Sequence, residues 1–221
     1  MDNLLNIARL IDHTLLKPYT VEKDIINLCN EAGEYNFFSV CVHPHYIRLA
    51  KEALSGTSVK VSTVIGFPLG MTQTHVKIYE AMESVLSGAD ELDIVINIGS
   101  AKAHDWDAAE KEISDIITAS PEAIHKIIIE TCYLSDDEKR RASLSVMNAG
   151  GDFIKTSTGF GPAGATIYDV RLIRDTTGGN IGVKASGGIK SLKDVINFIE
   201  AGAARIGTSS GVNIMKEIIG Y

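Results

Sequence analysis

Cysteine is scarce in this sequence, and its three residues lie far apart. Cys29, Cys41 and Cys132 form neither a CxxC pair nor an even, regularly spaced set. A disulfide framework or a cysteine-based zinc site needs such a set. The sequence therefore excludes a disulfide-rich secreted scaffold, and it is typical of a protein from a reducing compartment, for which we expect the cytoplasm.

Long apolar runs and an excess of positive charge are also missing. No stretch reaches the roughly 18 uninterrupted apolar residues that a membrane span requires. The first residues, MDNLLNIARLIDHT, lack the apolar core of a secretory signal. The 21 Lys and Arg residues are outnumbered by 28 Asp and Glu residues, which gives a formal net charge of -7. We expect neither nucleic acid nor a membrane as a partner, because both favour a basic face.

What the sequence does have is a regular alternation of short β-rich runs and longer amphipathic segments. Its 221 residues, of which 45% are hydrophobic, suffice for one core, and we expect a single domain over residues 1–221. Eight runs are expected as strands, at residues 11–16, 37–42, 60–67, 91–97, 126–131, 153–158, 181–186 and 204–209.

The amphipathic segments between these runs predict helices. Segments such as VEKDIINLCNEA and WDAAEKEISDIITA have apolar residues at three- and four-residue spacing. Gly88 and Gly202 stand where helices should end, and Ser135 and Ser191 where helices should begin. Eight strand-plus-helix units predict an α/β fold, a single (β/α)8 TIM barrel with a short extra N-terminal helix at residues 1–10. A doubly wound parallel sheet is the alternative.

Two lysines stand inside apolar, β-prone runs, where a charged amine is costly to bury. Lys155 lies in DFIKTSTGF and Lys184 in IGVKASGGI. Because side chains alternate along a strand, these lysines fall on corresponding faces of neighbouring strands. Asp93, in ELDIVIN, joins them if all three faces line the barrel interior. The alternative is that both lysines lie on the outer face and extend to solvent.

Two lysines held close together have a chemical use. Desolvation and repulsion between two ammonium groups both lower a lysine pKa from its ordinary value of about 10.4. A lysine that titrates near about pH 7 is neutral often enough to attack a carbonyl group and form a Schiff base. The inward-facing arrangement therefore predicts a nucleophilic amine, although the lysines alone do not name a reaction.

The motifs of the chain resemble those of the deoxyribose-phosphate aldolase family, whose members are class I (Schiff-base) aldolases with a TIM barrel. KTSTGF and VKASGG are together the most specific of these motifs. The resemblance covers essentially the whole chain, in the order IDHTLLKP, VCVHP, STVIGFPLG, GADELDIVINIG, IIIETCYL, DFIKTSTGFGPAGAT, GVKASGGIK and ARIGTSSG.

The resemblance implies a role for each of the three candidates. The lysine of KTSTG forms the imine, which maps to Lys155, and the lysine of VKASGG tunes it, which maps to Lys184. The second aspartate of DELD moves protons, which maps to Asp93. The implied reaction is the reversible cleavage of 2-deoxy-D-ribose 5-phosphate into acetaldehyde and D-glyceraldehyde 3-phosphate. The imine is the electron sink, so no metal or organic cofactor is expected.

A phosphorylated substrate needs an anion site, and the glycine-rich turns after the seventh and eighth strands suit one. Such turns also occur for purely geometric reasons. Some family members have a lysine directly after STG, where this chain has Phe160, so we expect a weaker preference for phosphate here. The candidate binding residues are Thr158, Gly159, Gly187, Gly188, Lys190, Gly207, Ser209 and Ser210.

Three further residues are candidates for supporting roles. Asp12 and Thr14 share one face of the first strand, and they either orient water and hydroxyl groups near the lysines or form the barrel floor. Cys41 is expected to pack into the barrel rather than to act as a nucleophile. His43 and His45 flank a proline with no third ligand at a suitable spacing, so we expect no metal site.

Two other functions stay open at this point. An isomerase or synthase with the same phosphate-binding turns would not need a neutral lysine and would not respond to borohydride. A non-catalytic barrel that binds a sugar phosphate would bind it without cleavage. We also expect a homo-oligomer, a dimer or tetramer, with contacts around Ile47, Leu49 and Trp106. A C-terminal tyrosine reaches the active site in some family members, but here we expect Tyr221 to fray.

Overall fold

The computed structural model describes residues 7–220, and their eight strands close into a parallel barrel. Each strand pairs with the next one along the chain, and the last pairs with the first. This order confirms the (β/α)8 barrel and excludes the doubly wound sheet. The strands are β1 Ile11–Leu15, β2 Ser39–Val42, β3 Lys60–Ile65, β4 Glu91–Val95, β5 Ile124–Ile128, β6 Phe153–Lys155, β7 Gly182–Ser186 and β8 Arg205–Thr208.

Nine α-helices follow the strands within residues 7–220. None of the helices described there is long and apolar enough to cross a bilayer. Two 3₁₀ turns, Pro44–Tyr46 and Thr131–Tyr133, follow β2 and β5. The helices are α1 Glu22–Tyr35, α2 Ile47–Ala53, α3 Thr74–Leu86, α4 Ile98–Lys102, α5 Trp106–Ala119, α6 Asp136–Asn148, α7 Ile167–Thr177, α8 Leu192–Ala201 and α9 Gly211–Ile219.

Local capping explains where several helices begin and end. Ser135 and Ser191, the predicted N-caps, form capping boxes with Glu138 and Asp194, in which each side chain accepts from the other residue's backbone N–H. Gly202 ends α8 in the left-handed region, with φ of 107°. Of the predicted N-terminal helix at residues 1–10, Ile7 and Ala8 are helical. Residues 1–6 and 221 lie outside the described part of the chain.

Several strands end earlier than their β-rich runs in the sequence. β6 ends at Lys155 rather than at residue 158, and β3 ends at Ile65 rather than at residue 67. Gly66 has φ of 62°, and its N–H donates to the Glu80 carboxylate at 2.8 Å instead of to a neighbouring strand. The ends of these runs therefore form loops at the carboxyl end of the barrel, where active sites of this architecture lie.

The apolar core lies mainly between the barrel and the helices around it. A smaller apolar cluster, Leu16, Cys41 and Val64 with Phe67 packed on it, is separate from that core. Each of β4, β5, β6, β7 and β8 carries at least one buried charged side chain on the inner face, where branched apolar side chains are common in such barrels. This charged interior positions the site described next.

Candidate active site

Asp93 on β4 is fully buried and accepts hydrogen bonds from three lysines. Its Oδ2 lies 2.7 Å from the Nζ of Lys155 and 2.6 Å from the Nζ of Lys184, and its Oδ1 lies 2.7 Å from the Nζ of Lys126. Lys155 and Lys184 are register partners on β6 and β7. The structure thus brings together the three residues expected on the inner face, and the outward-facing alternative is wrong.

Lys126 belongs to this group, although no sequence motif singles it out. It lies on β5 as the register partner of Asp93, and its Nζ is 2.8 Å from Glu91 Oε2 and 2.9 Å from Ser62 Oγ. The β-rich run in the sequence begins at Lys126, so this lysine looks like a strand end there. β5 in fact begins two residues earlier, at Ile124. The signal that could have identified Lys126 is its position on the inner face of β5, opposite an aspartate on the inner face of β4.

Asp12 on β1 is fully buried in the barrel interior, where it contacts charged and hydroxyl side chains. Its Oδ2 is 2.5 Å from the Nζ of Lys184, and its Oδ1 accepts from Ser39 Oγ at 2.7 Å and from Arg205 Nε at 3.0 Å. The Arg205 guanidinium also donates to Glu91 Oε2 at 2.8 Å. These contacts place Asp12 beside Lys184, among the buried charges of the barrel interior.

The two lysines that share Oδ2 of Asp93 have pKa values shifted in opposite directions. Burial lowers the pKa of Lys155 and the charge of Lys184 lowers it further, while Asp93 opposes both. Burial would also lower the pKa of Lys184, but Asp12 and Asp93 together raise it above its ordinary value. Burial would raise the pKa of Asp93, but Lys126, Lys155 and Lys184 hold it well below its usual range. Of these two lysines, Lys155 is therefore the one that loses its proton more readily.

Cys41 is buried beside these lysines without being a ready nucleophile. Burial and the charge of Asp93 raise the pKa of its thiol. The side chain packs against Leu16 and Val64. The structure supports the expected packing role.

A pocket of about 280 Å³ opens above Lys155 at the carboxyl end of the barrel. This volume is at the lower end of the range for small-molecule sites and suits a small substrate. Ser210 does not line the pocket, and its N–H donates to Thr208 Oγ1 at 2.9 Å. The candidates that do line it are Thr14, Lys155, Thr158, Gly159, Gly187, Gly188, Lys190, Gly207 and Ser209.

One wall of this pocket is made largely of backbone. Gly187 and Gly188 have φ of 89° and 82°, a conformation that suits glycine. A Cβ atom at Gly164 would lie 2.2 Å from the carbonyl oxygen of Gly187, so the two segments can approach only as glycines. The loops after β7 and β8 lead into α8 and α9, so the pocket has the glycine-rich turns and helix starts that bind phosphate in many barrels.

The pocket also has an aromatic edge and a lysine that is not among the candidate binding residues. Phe160 lines it, is 52% exposed, and packs edge-on against Phe67 with ring centroids 5.2 Å apart. Lys17, at the end of IDHTLLK, lines it as well. An apolar ring therefore stands where some family members place a lysine, while Lys17 and Lys190 supply positive charge.

The two histidines of the HPH motif have other partners. His43 Nε2 lies 3.0 Å from the carbonyl oxygen of Leu16, and the His45 ring packs edge-on against Tyr46. Across residues 7–220, no group of three or more His, Cys, Asp or Glu side chains is arranged to hold a metal ion.

Named aldolases from other organisms match this chain over nearly its whole length. It is 53% identical over 216 residues to the deoxyribose-phosphate aldolase of Thermococcus gammatolerans, and the match covers 96% of each protein. It is 52% identical over 212 residues to the deoxyribose-phosphate aldolase of Streptococcus equi subsp. zooepidemicus, again with 96% of each covered.

Solved structures of aldolases have the same barrel. The aldolase QR15 superimposes with a TM-score of 0.94 at 46% identity, covering 97% of this chain and 96% of that one. The deoxyribose phosphate aldolase from Aeropyrum pernix, described as a unique tetramer, gives 0.91 at 34% identity and covers 99% and 93%. The model of the DeoC/LacD family aldolases matches residues 7–217. The family-model match and these identities show that the chain belongs to the DeoC/LacD family of aldolases.

Proposed function

We propose that this chain is a deoxyribose-phosphate aldolase that reversibly cleaves 2-deoxy-D-ribose 5-phosphate into acetaldehyde and D-glyceraldehyde 3-phosphate. The observation that carries the proposal is Lys155, a buried amine with a lowered pKa at the floor of a small pocket, 2.7 Å from Asp93. The names of the two relatives, both deoxyribose-phosphate aldolases, support the choice of substrate.

In the synthetic direction, the neutral amine of Lys155 attacks the carbonyl carbon of acetaldehyde. The carbinolamine loses water to form a protonated imine, which then loses an α-proton to give an enamine. The enamine carbon attacks the aldehyde carbon of glyceraldehyde 3-phosphate, and water hydrolyses the resulting imine to release the sugar phosphate and the free amine. Cleavage runs through the same steps in reverse.

Asp93 and Lys184 have different roles in the proposed mechanism. Asp93 lies within hydrogen-bond distance of the reacting nitrogen and is suited to pass protons to and from the carbinolamine and enamine, directly or through a water molecule. Lys184 keeps its proton, because Asp12 and Asp93 raise its pKa, and it repels a second positive charge on Lys155. The imine is the electron sink, so the proposed reaction uses no metal or organic cofactor.

The glycine-rich wall is the proposed phosphate site. Gly187, Gly188, Gly207 and Ser209 lie on the same side of the pocket as the starts of α8 and α9. Lys190 adds charge from the loop after β7. This arrangement lets the phosphate bind at the mouth while the aldehyde carbon reaches Lys155 at the floor.

Turnover of 2-deoxyribose 5-phosphate tests the proposal. We expect acetaldehyde to be released by the wild type, and kcat to fall by about a thousandfold or more in Lys155→Met, because the nucleophile is lost. Unchanged cleavage by Lys155→Met would favour an isomerase or synthase chemistry in the same pocket. Saturable binding without cleavage by the wild type would favour the non-catalytic barrel.

Phe160 bears on the strength of the phosphate preference. Because an apolar ring replaces a cation at the pocket edge, we expect this chain to discriminate less between deoxyribose 5-phosphate and deoxyribose than its Phe160→Lys variant does. The ratio of the two kcat/KM values, measured for both proteins, checks this. Equal ratios would contradict it.

Self-association is the remaining part of the proposal, and the cytoplasm remains the expected location. Ile47 is buried, so it is not the surface contact that was expected, and Leu49 and Trp106 are partly buried against the core. Six large apolar side chains are instead exposed on and just before α3: Leu69, Met71, Val76, Tyr79, Met82 and Leu86. We propose that a second copy of the chain covers this α3 face. The tetrameric structure of the Aeropyrum pernix enzyme supports self-association in general.

A further inference from the structure

Glu130, just after β5, is a buried carboxylate in an unusual backbone conformation. It is 1% exposed and has φ of 51°, in the left-handed region that side chains other than glycine, asparagine and aspartate seldom adopt. Strain of this kind persists where the surrounding structure holds the residue in place, and it concentrates at functional sites. The proposed mechanism assigns this carboxylate no task.

The strain has a local cause in the pairing of β5 with β6. The N–H of Ile129 donates to the carbonyl of Lys155 at 3.1 Å, and the N–H of Thr131 donates to the carbonyl of Thr156 at 2.9 Å. Just beyond the ends of β5 and β6, two residues of the first segment thus advance for one residue of the second, so Glu130 is an extra residue between the two hydrogen bonds, as in a β-bulge. Bulges next to active sites redirect a side chain, and this one lies directly beside the amine-bearing residue.

The redirected carboxylate binds the loop that follows β6. The backbone N–H of Thr158 donates to both Oε atoms of Glu130 at 3.2 Å, and the Thr158 hydroxyl donates to Oε2. Thr158 Oγ1 in turn accepts from the N–H of Phe160 at 3.0 Å. Thr158 and Phe160 both line the pocket, so the chain of hydrogen bonds runs from β5 to the pocket wall.

The packing around the same contact leaves little freedom. A Cβ atom at Gly161 would lie 2.9 Å from Cys132 Sγ and 3.4 Å from Glu130 Cδ. Among residues 7–220, no lysine, arginine or histidine forms an ion pair with Glu130. A buried carboxylate without a cation is costly unless hydrogen bonds satisfy it, and here the donors come from the pocket loop and from the Cys132 thiol, at 3.8 Å.

We infer that Glu130 is a positioning residue, which fixes Thr158 and the loop at 158–161 against the substrate pocket. It does not touch the reacting atoms and acts through Thr158. The inference rests on the proposed aldolase function and concerns the binding of the sugar phosphate rather than the formation of the imine.

Two readouts on Glu130→Gln separate positioning from chemistry. A glutamine keeps the shape but can no longer accept at both terminal atoms, so Thr158 loses one acceptor. We expect kcat/KM for deoxyribose 5-phosphate to fall by about ten- to a hundredfold, the usual effect of losing a hydrogen bond to a buried charged group. Borohydride trapping of acetaldehyde on Lys155 should remain at the wild-type level.

A double variant tests whether Glu130 acts through Thr158. Thr158→Val removes the hydroxyl, and the double variant Glu130→Gln/Thr158→Val should be no worse than the poorer single variant, because the two residues form one unit. Multiplying effects would overturn the inference, as would wild-type kcat/KM in Glu130→Gln or an equal loss of trapping and turnover.

Glu130→Gly keeps the test valid if the glutamine variant does not fold. Glycine tolerates the left-handed backbone but lacks the carboxylate, so we expect a folded protein with the same loss of kcat/KM. His104→Gly is the matched control, since His104 has φ of 59° on the exposed surface, and its activity should equal that of the wild type. Absence of turnover in the wild type would instead contradict the proposed function. Failure of the proposed function can therefore be told apart from failure of the inference about Glu130.

Discussion

At the scale of single residues, burial lowers the pKa of Lys155, and the balance of charges explains why Lys155 rather than Lys184 gives up its proton. Three carboxylates meet four cations inside the barrel, so one cation is in excess. The other cations have acidic partners beyond Asp93, whereas Lys155 is ion-paired to Asp93 alone among the described residues. The carboxylates are Asp12, Glu91 and Asp93, and the cations are Lys126, Lys155, Lys184 and Arg205.

The pH profile of Lys184→Met tests this division of charge. Lys184 helps to lower the pKa of Lys155, so its removal raises that pKa. The reactive form is the neutral amine, so the rise of kcat/KM with pH should move to higher pH. A pKa higher by about one pH unit lowers the neutral fraction of Lys155 at pH 7 about tenfold. The profile of Lys193→Met, an exposed lysine on α8, should match the wild type. A move of the Lys184→Met profile to lower pH would contradict the assignment.

The residue pattern predicted the inner face but not the whole charge network. Period-two alternation placed Lys155, Lys184 and Asp93 together, because all three lie in the middle of clear β-rich runs. The pattern missed Lys126, because the apolar residues that mark β5 most clearly follow it. It missed Glu130 because a β-bulge shifts the alternation, and no local motif marks a bulge formed by glutamate.

At the scale of secondary-structure elements, a buried ion pair ties α3 and α5 to the end of β4. Lys77 is fully buried, and its Nζ lies 2.6 Å from Glu112 Oε1 and 2.9 Å from the carbonyl oxygen of Val95. Glu112 also accepts from the N–H of Asn97 at 3.2 Å. The pair thus closes the carboxyl end of β4, two residues beyond Asp93.

Removing one member of this pair should be worse than removing both. We expect Lys77→Met to lower the free energy of unfolding by about 3–5 kcal/mol, because Glu112 is left buried without its cation. The double variant Lys77→Met/Glu112→Gln should recover part of that loss. Chemical denaturation of the single and double variants measures it, and a double variant less stable than Lys77→Met would count against the account.

Helix boundaries were predictable where capping is local. Ser135 and Ser191 each have an acidic residue three positions later, and this spacing alone defines the start of a helix. Strand ends were less predictable, as at β6, which ends at Lys155 although the β-prone residues Thr156 and Thr158 follow it. Their partners there are Lys184, Ser186 and Glu130, which are remote in sequence.

At the scale of the whole molecule, eight regular units were enough to predict the barrel, because a strand and a crossover of that size suit parallel pairing. The face that meets another copy was not predictable, since surface position depends on how each helix turns on the barrel. Ile47 shows this: it is apolar and on an outer helix, yet α2 turns it inward. On α3 the exposed side chains His75, Tyr79, Met82 and Leu86 follow a spacing of four, three and four, which is typical of a helix that pairs with another.

Association through the α3 face has an expected size. A stable interface covers about 800 Å² per partner, of which a little over half is apolar. Six partly exposed apolar side chains, at up to about 100 Å² each, supply that apolar share. We expect a dimer or larger species in sedimentation velocity, and monomers for Tyr79→Glu/Leu86→Glu. Ile196→Glu, on α8 across the barrel, is the control, and an unchanged species for the α3 variant would contradict the interface.

The most direct test of the central claim is reduction with sodium borohydride in the presence of acetaldehyde, followed by peptide mass mapping. We predict a single reduced ethyl adduct on Lys155, with activity lost in proportion to the labelling, and no adduct on Lys126 or Lys184. A folded, active enzyme with no adduct on Lys155, or with the adduct on Lys184, would contradict the account.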